Sequence, residues 1–332
     1  MHMKKTLFLA FILLSGVAFS QQRPQYSQYM INPYILNPAV GGVENYLDIK
    51  AGYRNQWVNF EGHPVTYYLS AHMPIGKAMC VNPRIRNKKA GFHGVGGYVM
   101  GDQTGPSRRY AGYLSYAYHL RLGNDLFASL GLSGGIQSYF LDGSLLDIYN
   151  GGGAKNLQQF VQSDIAGAGM RLNVPDFSAG TWIYSGEFFV GASISQILAP
   201  KLEFDFLGQN PNGDPGRLQH HFFIIGGYRF KVDRDLSIIP SVALKGVQPA
   251  PLTFDINCKA RYKDMYWAGL SYRRGDAIAA MAGIVLMEMF EVSYSYDITM
   301  SEIRKYSNGV HEIVVGYRLP LKQNLVCPSH FW

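Results

Sequence analysis

The sequence predicts an all-β fold: a transmembrane antiparallel β-barrel of about fourteen strands with an N-terminal extended segment and long extracellular loops. Strict alternation is the first observation behind this. From Leu252 to Lys263, the residues Leu252, Phe254, Ile256, Cys258, Ala260 and Tyr262 share one face, and Thr253, Asp255, Asn257, Lys259, Arg261 and Lys263 share the other. A period of two is a strand signal, and Glu291 to Ile298 repeats it. The second observation is the start of the chain. Lys4 and Lys5 precede the apolar run Leu7 to Leu14 and the small-x-small site Ala18-Phe19-Ser20, which reads as an export signal cut before Gln21. No Cys follows at that position, so a lipidated N-terminus is not expected. No further run of about 18 apolar residues follows, so helices are not expected to cross a membrane. Composition is the third observation: 14% aromatic residues with 23 Tyr and 37 Gly, yet only 16% charged. Mean hydropathy is −0.05. A barrel wall with one lipid face and one polar face gives such an average, because its backbone groups are satisfied between strands.

In chain order, residues 1–20 read as the signal peptide, 21–44 as an extended docking or plug segment, 45–319 as the barrel and 320–332 as a tail. The segment from Gln21 to Gly42 contains Asn32-Pro33 and Asn37-Pro38, which break helices and strands. Its Tyr26, Tyr29, Met30, Tyr34, Ile35 and Leu36 are too apolar for a solvated tail, so it is expected to dock. Strands are predicted near Asn45–Arg54, Val65–Met73, Gly91–Met100, Ser107–Leu120, Leu126–Ser138, Ser178–Tyr184, Phe188–Ile197 and Gln219–Phe230. Further strands are predicted near Leu236–Lys245, Leu252–Tyr262, Met265–Arg274, Ala277–Leu286, Met289–Ile298 and His311–Leu319. The short turns, Gly123-Asn124-Asp125 and Lys231 to Asp235, read as periplasmic hairpins. Ile75–Ala90, Leu141–Phe177, Leu198–Leu218 and Thr299–Val310 read as extracellular loops or as elements folded into the lumen. Tyr110, Tyr113, Tyr266, Trp267 and Tyr272 suit interfacial aromatic girdles. After Pro320 and Pro328, the terminal Phe331-Trp332 offers an aromatic end of the kind that barrel-assembly machinery reads.

Several chemistries find little support. Cys80, Cys258 and Cys327 make no disulfide framework, and their spacing fits no metal site. The formal charge of +7 comes partly from the leader and is otherwise scattered, which argues against nucleic acid as a partner. No Gly-x-Ser-x-Gly elbow or His-Glu-x-x-His helix is present, so neither an enzyme nor a cofactor is expected. His119 and His221 fall on polar strand faces and read as solvated lumen histidines. Gly94 to Gly97 and Gly151 to Gly153 open no helix and do not read as phosphate loops. A small-solute porin with Lys259, Arg261, Lys263 and Arg229 in its lumen remains an alternative, those charges otherwise being paired with Asp255, Glu291 and Asp297.

The run from Gln21 to Pro33, followed by Asn37-Pro38-Ala39-Val40-Gly41-Gly42, closely resembles the mature start of the PorP/SprF family of Bacteroidetes outer-membrane proteins. The likeness continues through Arg54-Asn55-Gln56-Trp57, Phe60 to Thr66, Gly94-Val95-Gly96-Gly97, Asp102 to Gly105, Tyr272-Arg273 and Tyr294 to Thr299. Gly309-Val310-His311-Glu312 stands where family members tend to carry Gly-Ser-His-Glu. The resemblance implies a component of the type IX secretion system in the outer membrane of a Gram-negative bacterium, embedded among membrane lipid and lipopolysaccharide. It implies as partner a large adhesin cargo with a C-terminal sorting domain, in some bacteria serving gliding. The alternative is a core machine part bound to the periplasmic ring lipoprotein and other type IX subunits. By the same resemblance, partner binding is carried to Tyr26, Tyr29, Asn32, Pro33, Asn37, Pro38, Arg54, Gln56 and Trp57.

Overall fold

The computed structural model describes residues 26–76, 91–123, 125–141, 170–201, 217–247 and 250–321. The expected leader, most of the long loops, Cys80, Cys327, Phe331 and Trp332 lie outside these residues.

The wall is built from β1 (Tyr46–Asn55), β2 (Val65–Ile75), β3 (Phe92–Thr104), β4 (Ser107–Arg121) and β5 (Phe127–Leu141). It continues with β6 (Met170–Tyr184), β7 (Phe188–Ser195), β8 (His221–Tyr228), β9 (Phe230–Lys231) and β10 (Leu236–Val247). The last strands are β11 (Thr253–Tyr262), β12 (Tyr266–Arg273), β13 (Ala277–Leu286), β14 (Phe290–Thr299) and β15 (Val310–Pro320). β8 and β9 are one stave interrupted at Arg229, since Ser241↔Gly227 and Ile238↔Phe230 lie in one register against β10. Each stave pairs antiparallel with its sequence neighbours, and β1 pairs with both β2 and β15. The result is a closed antiparallel barrel of fourteen staves with no free edge around its girth. All the strands expected from alternation are present, with ends shifted by a few residues.

The largest shift is in β6, which begins at Met170 where sequence places a loop as far as Phe177. Pro175 suggests a break, because proline cannot donate to a strand ladder. The segment is nevertheless held by pairing to β5 and by the buried Asp176, whose carboxylate accepts from Tyr113 Oη at 2.6 Å and Gln137 Nε2 at 2.7 Å.

Tyr46 pairs with Pro320, so the chain enters and leaves the wall at the same end. The short turns at 122–126, 185–187, 232–235, 263–265 and 287–289 lie at that end, which marks it as periplasmic. β2 ends at Ile75 and β3 begins at Phe92 at that end too, which corrects the extracellular placement of Ile75–Ala90. Loop length suggests the wrong side, whereas antiparallel alternation fixes the end. Two hairpins turn through paired left-handed residues, Lys263-Asp264 and Met287-Glu288, the geometry that matches strand twist.

Outward side chains are apolar and inward ones polar. Leu114 is 77% exposed on the lipid face, while Asp255 and Asp297 are fully buried. Tyr110, Tyr266 and Tyr272 face outward as expected of a girdle. Tyr113 and Trp267 do not, because each falls one residue out of phase with the outward set and is buried inside. Among the described residues no helix is long and apolar enough to cross a membrane; the strands cross instead.

Candidate functional site

Inside the barrel, residues 26–43 form a plug. Each Asn-Pro pair starts a single 3-10 turn, Pro33–Ile35 and Pro38–Val40, with proline at the first position where its missing N–H costs nothing. Asn37 caps the second turn, its side chain accepting from Ala39 N at 3.0 Å. Tyr29, Tyr34, Ala39 and Val43 are almost wholly buried.

The plug's first residues sit in the extracellular half, against the charged side of the lumen. Glu312 on β15 accepts from Ser27 N at 2.9 Å and Gln28 N at 3.2 Å, and its own carbonyl accepts from Gln28 Nε2 at 3.0 Å. Ser293 Oγ donates to Gln28 Oε1 at 2.6 Å. Arg54 on β1 reaches Glu312 at 2.8 Å, Ser27 Oγ at 2.6 Å and Asp297 at 3.3 Å, and Ser27 Oγ donates to Asp297. Arg273 links Asp297, at 3.8 Å, to Asp255, at 3.4 Å, and Lys245 pairs with Asp255 at 2.5 Å. Arg54, Arg273 and Lys245 thus neutralise Asp255, Asp297 and Glu312 in a buried cluster, the condition under which buried ions are tolerated. Tyr29 bonds Asn257 through its hydroxyl and lies beneath the Lys245 ammonium, 5.3 Å from the ring centre.

The later plug residues descend toward the periplasm along β2 to β7. Asn32 Nδ2 donates to Ser70 at 2.8 Å, and the Tyr34 hydroxyl bonds that of Ser115 at 2.5 Å. Ser193 donates to Leu36 O at 2.6 Å, and Ser129 to Ala39 O at 2.7 Å. Asn37 donates to the wall carbonyls of Thr181, at 3.0 Å, and Ala192, at 3.3 Å. His119 Nδ1 takes the Tyr184 hydroxyl at 2.9 Å, so Nε2 carries the ring proton toward Gly41 O at 2.8 Å. His119 is therefore a buried plug contact and not a solvated lumen residue. At Gly94 and Gly131 plug and wall backbones touch; a Cβ on either would overlap Gly41 or Ala39.

Of the residues singled out from sequence, Tyr26, Tyr29, Asn32, Asn37 and Arg54 converge on this plug–wall contact, and Pro33 and Pro38 shape its turns. Gln56 and Trp57 stand apart, half-exposed in the connection between β1 and β2 at the extracellular rim. That connection is tied to the 300–309 loop through Val58 N to Gly309 O at 3.1 Å and Asn308 N to Val58 O at 2.9 Å. Sequence reasoning passed over Ser129, Ser193, Asp297 and Glu312 as site residues. Asp297 was read on a polar strand face, and the register of Ser129, Ser193 and Glu312 carries the same signal, but nothing local says that a plug meets them there. The expected partners of the lumen charges also differ: Arg229 and Arg261 both turn to Asp264, at 3.4 and 2.9 Å, and Glu291 to Arg318, at 2.7 Å.

A closed barrel with an apolar belt, a charged lumen and its own N-terminal segment as plug defines a plugged outer-membrane β-barrel protein. Residues 18–317 match the PorP/SprF family model, described as type IX secretion system membrane protein, and the chain belongs to that family. No curated protein matches the chain. Among solved structures it is similar to the toluene transporter TbuX of Ralstonia pickettii, with a TM-score of 0.50, 10% identity, and 89% of this chain and 94% of that one covered. It is also similar to the toluene transporter TodX of Pseudomonas putida (TM-score 0.49, 10% identity, 90% and 95% covered) and to a FadL homologue of Pseudomonas aeruginosa (0.46, 11%, 85% and 92%). At these identities the likeness concerns the barrel fold alone. The family is described as a secretion-system membrane protein, and TbuX and TodX are described as toluene transporters.

Proposed function

We propose that this barrel supports secretion and surface anchoring of a type IX cargo adhesin, acting as a docking platform in the outer membrane and not as a conduit. The carrying observation is the plug: residues 26–43 bond the wall from the extracellular half of the lumen to its periplasmic half, and a fourteen-strand lumen that holds such a segment is too narrow to pass a folded domain. Cargo then docks outside the lumen, on the extracellular rim where the 56–64 and 300–309 connections are joined. Gln56 and Trp57 lie on that rim and are assigned direct contact. Tyr26, Tyr29, Asn32, Pro33, Asn37, Pro38 and Arg54 act indirectly, by holding the plug that braces β1, β14 and β15 beneath the rim. The same plug weighs against a small-solute porin. Deleting Tyr26 to Pro38 leaves the strand ladder intact, so the barrel is expected in the membrane while surface display of the cargo is lost. Normal display would overturn the reading. Affinity purification from mildly solubilised outer membranes separates the two type IX roles: a surface protein with a C-terminal sorting domain supports the adhesin partner, and ring lipoprotein without such cargo supports a core machine part.

A further inference from the structure

The lipid-facing wall is not uniformly convex. Across β6 and β7 the outward side chains shrink to Ala179, Thr181 and Ala192, while Leu132 on β5 and Phe222 on β8, 65% and 47% exposed, stand proud on either side. They bound a groove of about 660 Å³. Its position is set by register. Thr181 is three residues above the periplasmic end of β6 and Ala192 four above that of β7, roughly 10–14 Å along the strands. The groove thus lies in the periplasmic half of a hydrocarbon core about 30 Å thick. It is continuous with the apolar belt that meets lipid, so hydrocarbon covers it. At its β4 margin Tyr116 accepts or donates a hydrogen bond with His93 Nδ1 at 2.6 Å, and His93 lies at the periplasmic end of β3, at headgroup level.

We propose that this groove is a binding site for one glycerophospholipid of the periplasmic leaflet, an acyl chain lying over Ala179, Thr181 and Ala192 and the phosphate-ester region meeting His93. Lipid tails are as apolar as the wall, so transfer from water supplies no preference between sites in the bilayer. Retention rests on dispersion contact with a concave surface and on the headgroup hydrogen bond, which makes the expected enrichment modest. The site is independent of the cargo reading, since it faces lipid and not the rim.

The experiment is native mass spectrometry of the full chain purified in mild detergent, with retained lipids identified. The wild type is expected to hold phospholipid. Ala192→Phe, which fills the floor, is expected to lower retention about threefold, and His93→Ala by a smaller factor. Leu270→Phe on β12, at an outward position 63% exposed away from the groove, should leave it unchanged. Heat-modifiable gel mobility confirms that each variant is a folded barrel. Equal retention by the wild type and folded Ala192→Phe overturns the proposal. So does recovery of lipid A in place of phospholipid, or of a membrane protein that Ala192→Phe releases while phospholipid stays bound.

Discussion

Where the plug descends along β2 to β7, wall glycines and serines let two backbones lie together, and the contact is one of shape with neutral hydrogen bonds. Along β10 to β15 and β1 the same plug meets Arg54, Lys245 and Arg273 interleaved with Asp255, Asp297 and Glu312, and the contact is one of charge. The first side tolerates no added volume and little depends on any single bond. The second tolerates some change of shape but not the loss of one charge alone, because each ion is buried and depends on its partners. The two sides also act at different heights: charge fixes the plug near the rim, and shape fixes it toward the periplasm.

Arg54→Met removes the cation that Asp297 and Glu312 share and has the largest expected effect. It leaves Asp297 and Glu312 buried without their shared cation, and a loss of about 3–5 kcal/mol is expected. Heat-modifiable gel mobility should shift to a lower temperature, and combining the change with Asp297→Asn and Glu312→Gln should restore most of the loss. Failure of that rescue would mean that the arginine acts by packing and not by charge. Gly131→Leu tests the other side: overlap with Ala39 is expected to cost about 3 kcal/mol and to unseat the plug. In a planar bilayer the variant should conduct where the wild type is nearly silent. Asn37→Ala is smaller still. Losing the cap and two wall carbonyl contacts is expected to cost about 1–2 kcal/mol, read as faster proteolysis of the N-terminal segment in an otherwise intact barrel.

Much of the wall was legible because alternation is local: Asp255, Arg261, Glu291 and Asp297 were assigned to the polar face from their neighbours alone. Asp176 was not, since Pro175 masks its strand, nor was the side of the 76–91 connection, which only counting staves decides. The docking character of residues 26–43 could be read from aromatic residues that water would not hold. The wall residues that receive them could not, because Ser129, Ser193, Asp297 and Glu312 are far apart in sequence and surround the segment only through barrel closure.

Local patterning dictates that the chain makes a barrel with one wet strand face, and that an apolar segment broken by two prolines must find a partner. Those outcomes follow from periodicity and from the cost of leaving tyrosines in water or backbone groups unpaired in lipid. Barrel closure dictates that the partner is the barrel's own lumen, that the segment starts near the extracellular rim, and that its two sides are held differently. The reason is geometric: closing β1 onto β15 brings charges from both ends of the chain within ion-pair distance, which no local pattern encodes.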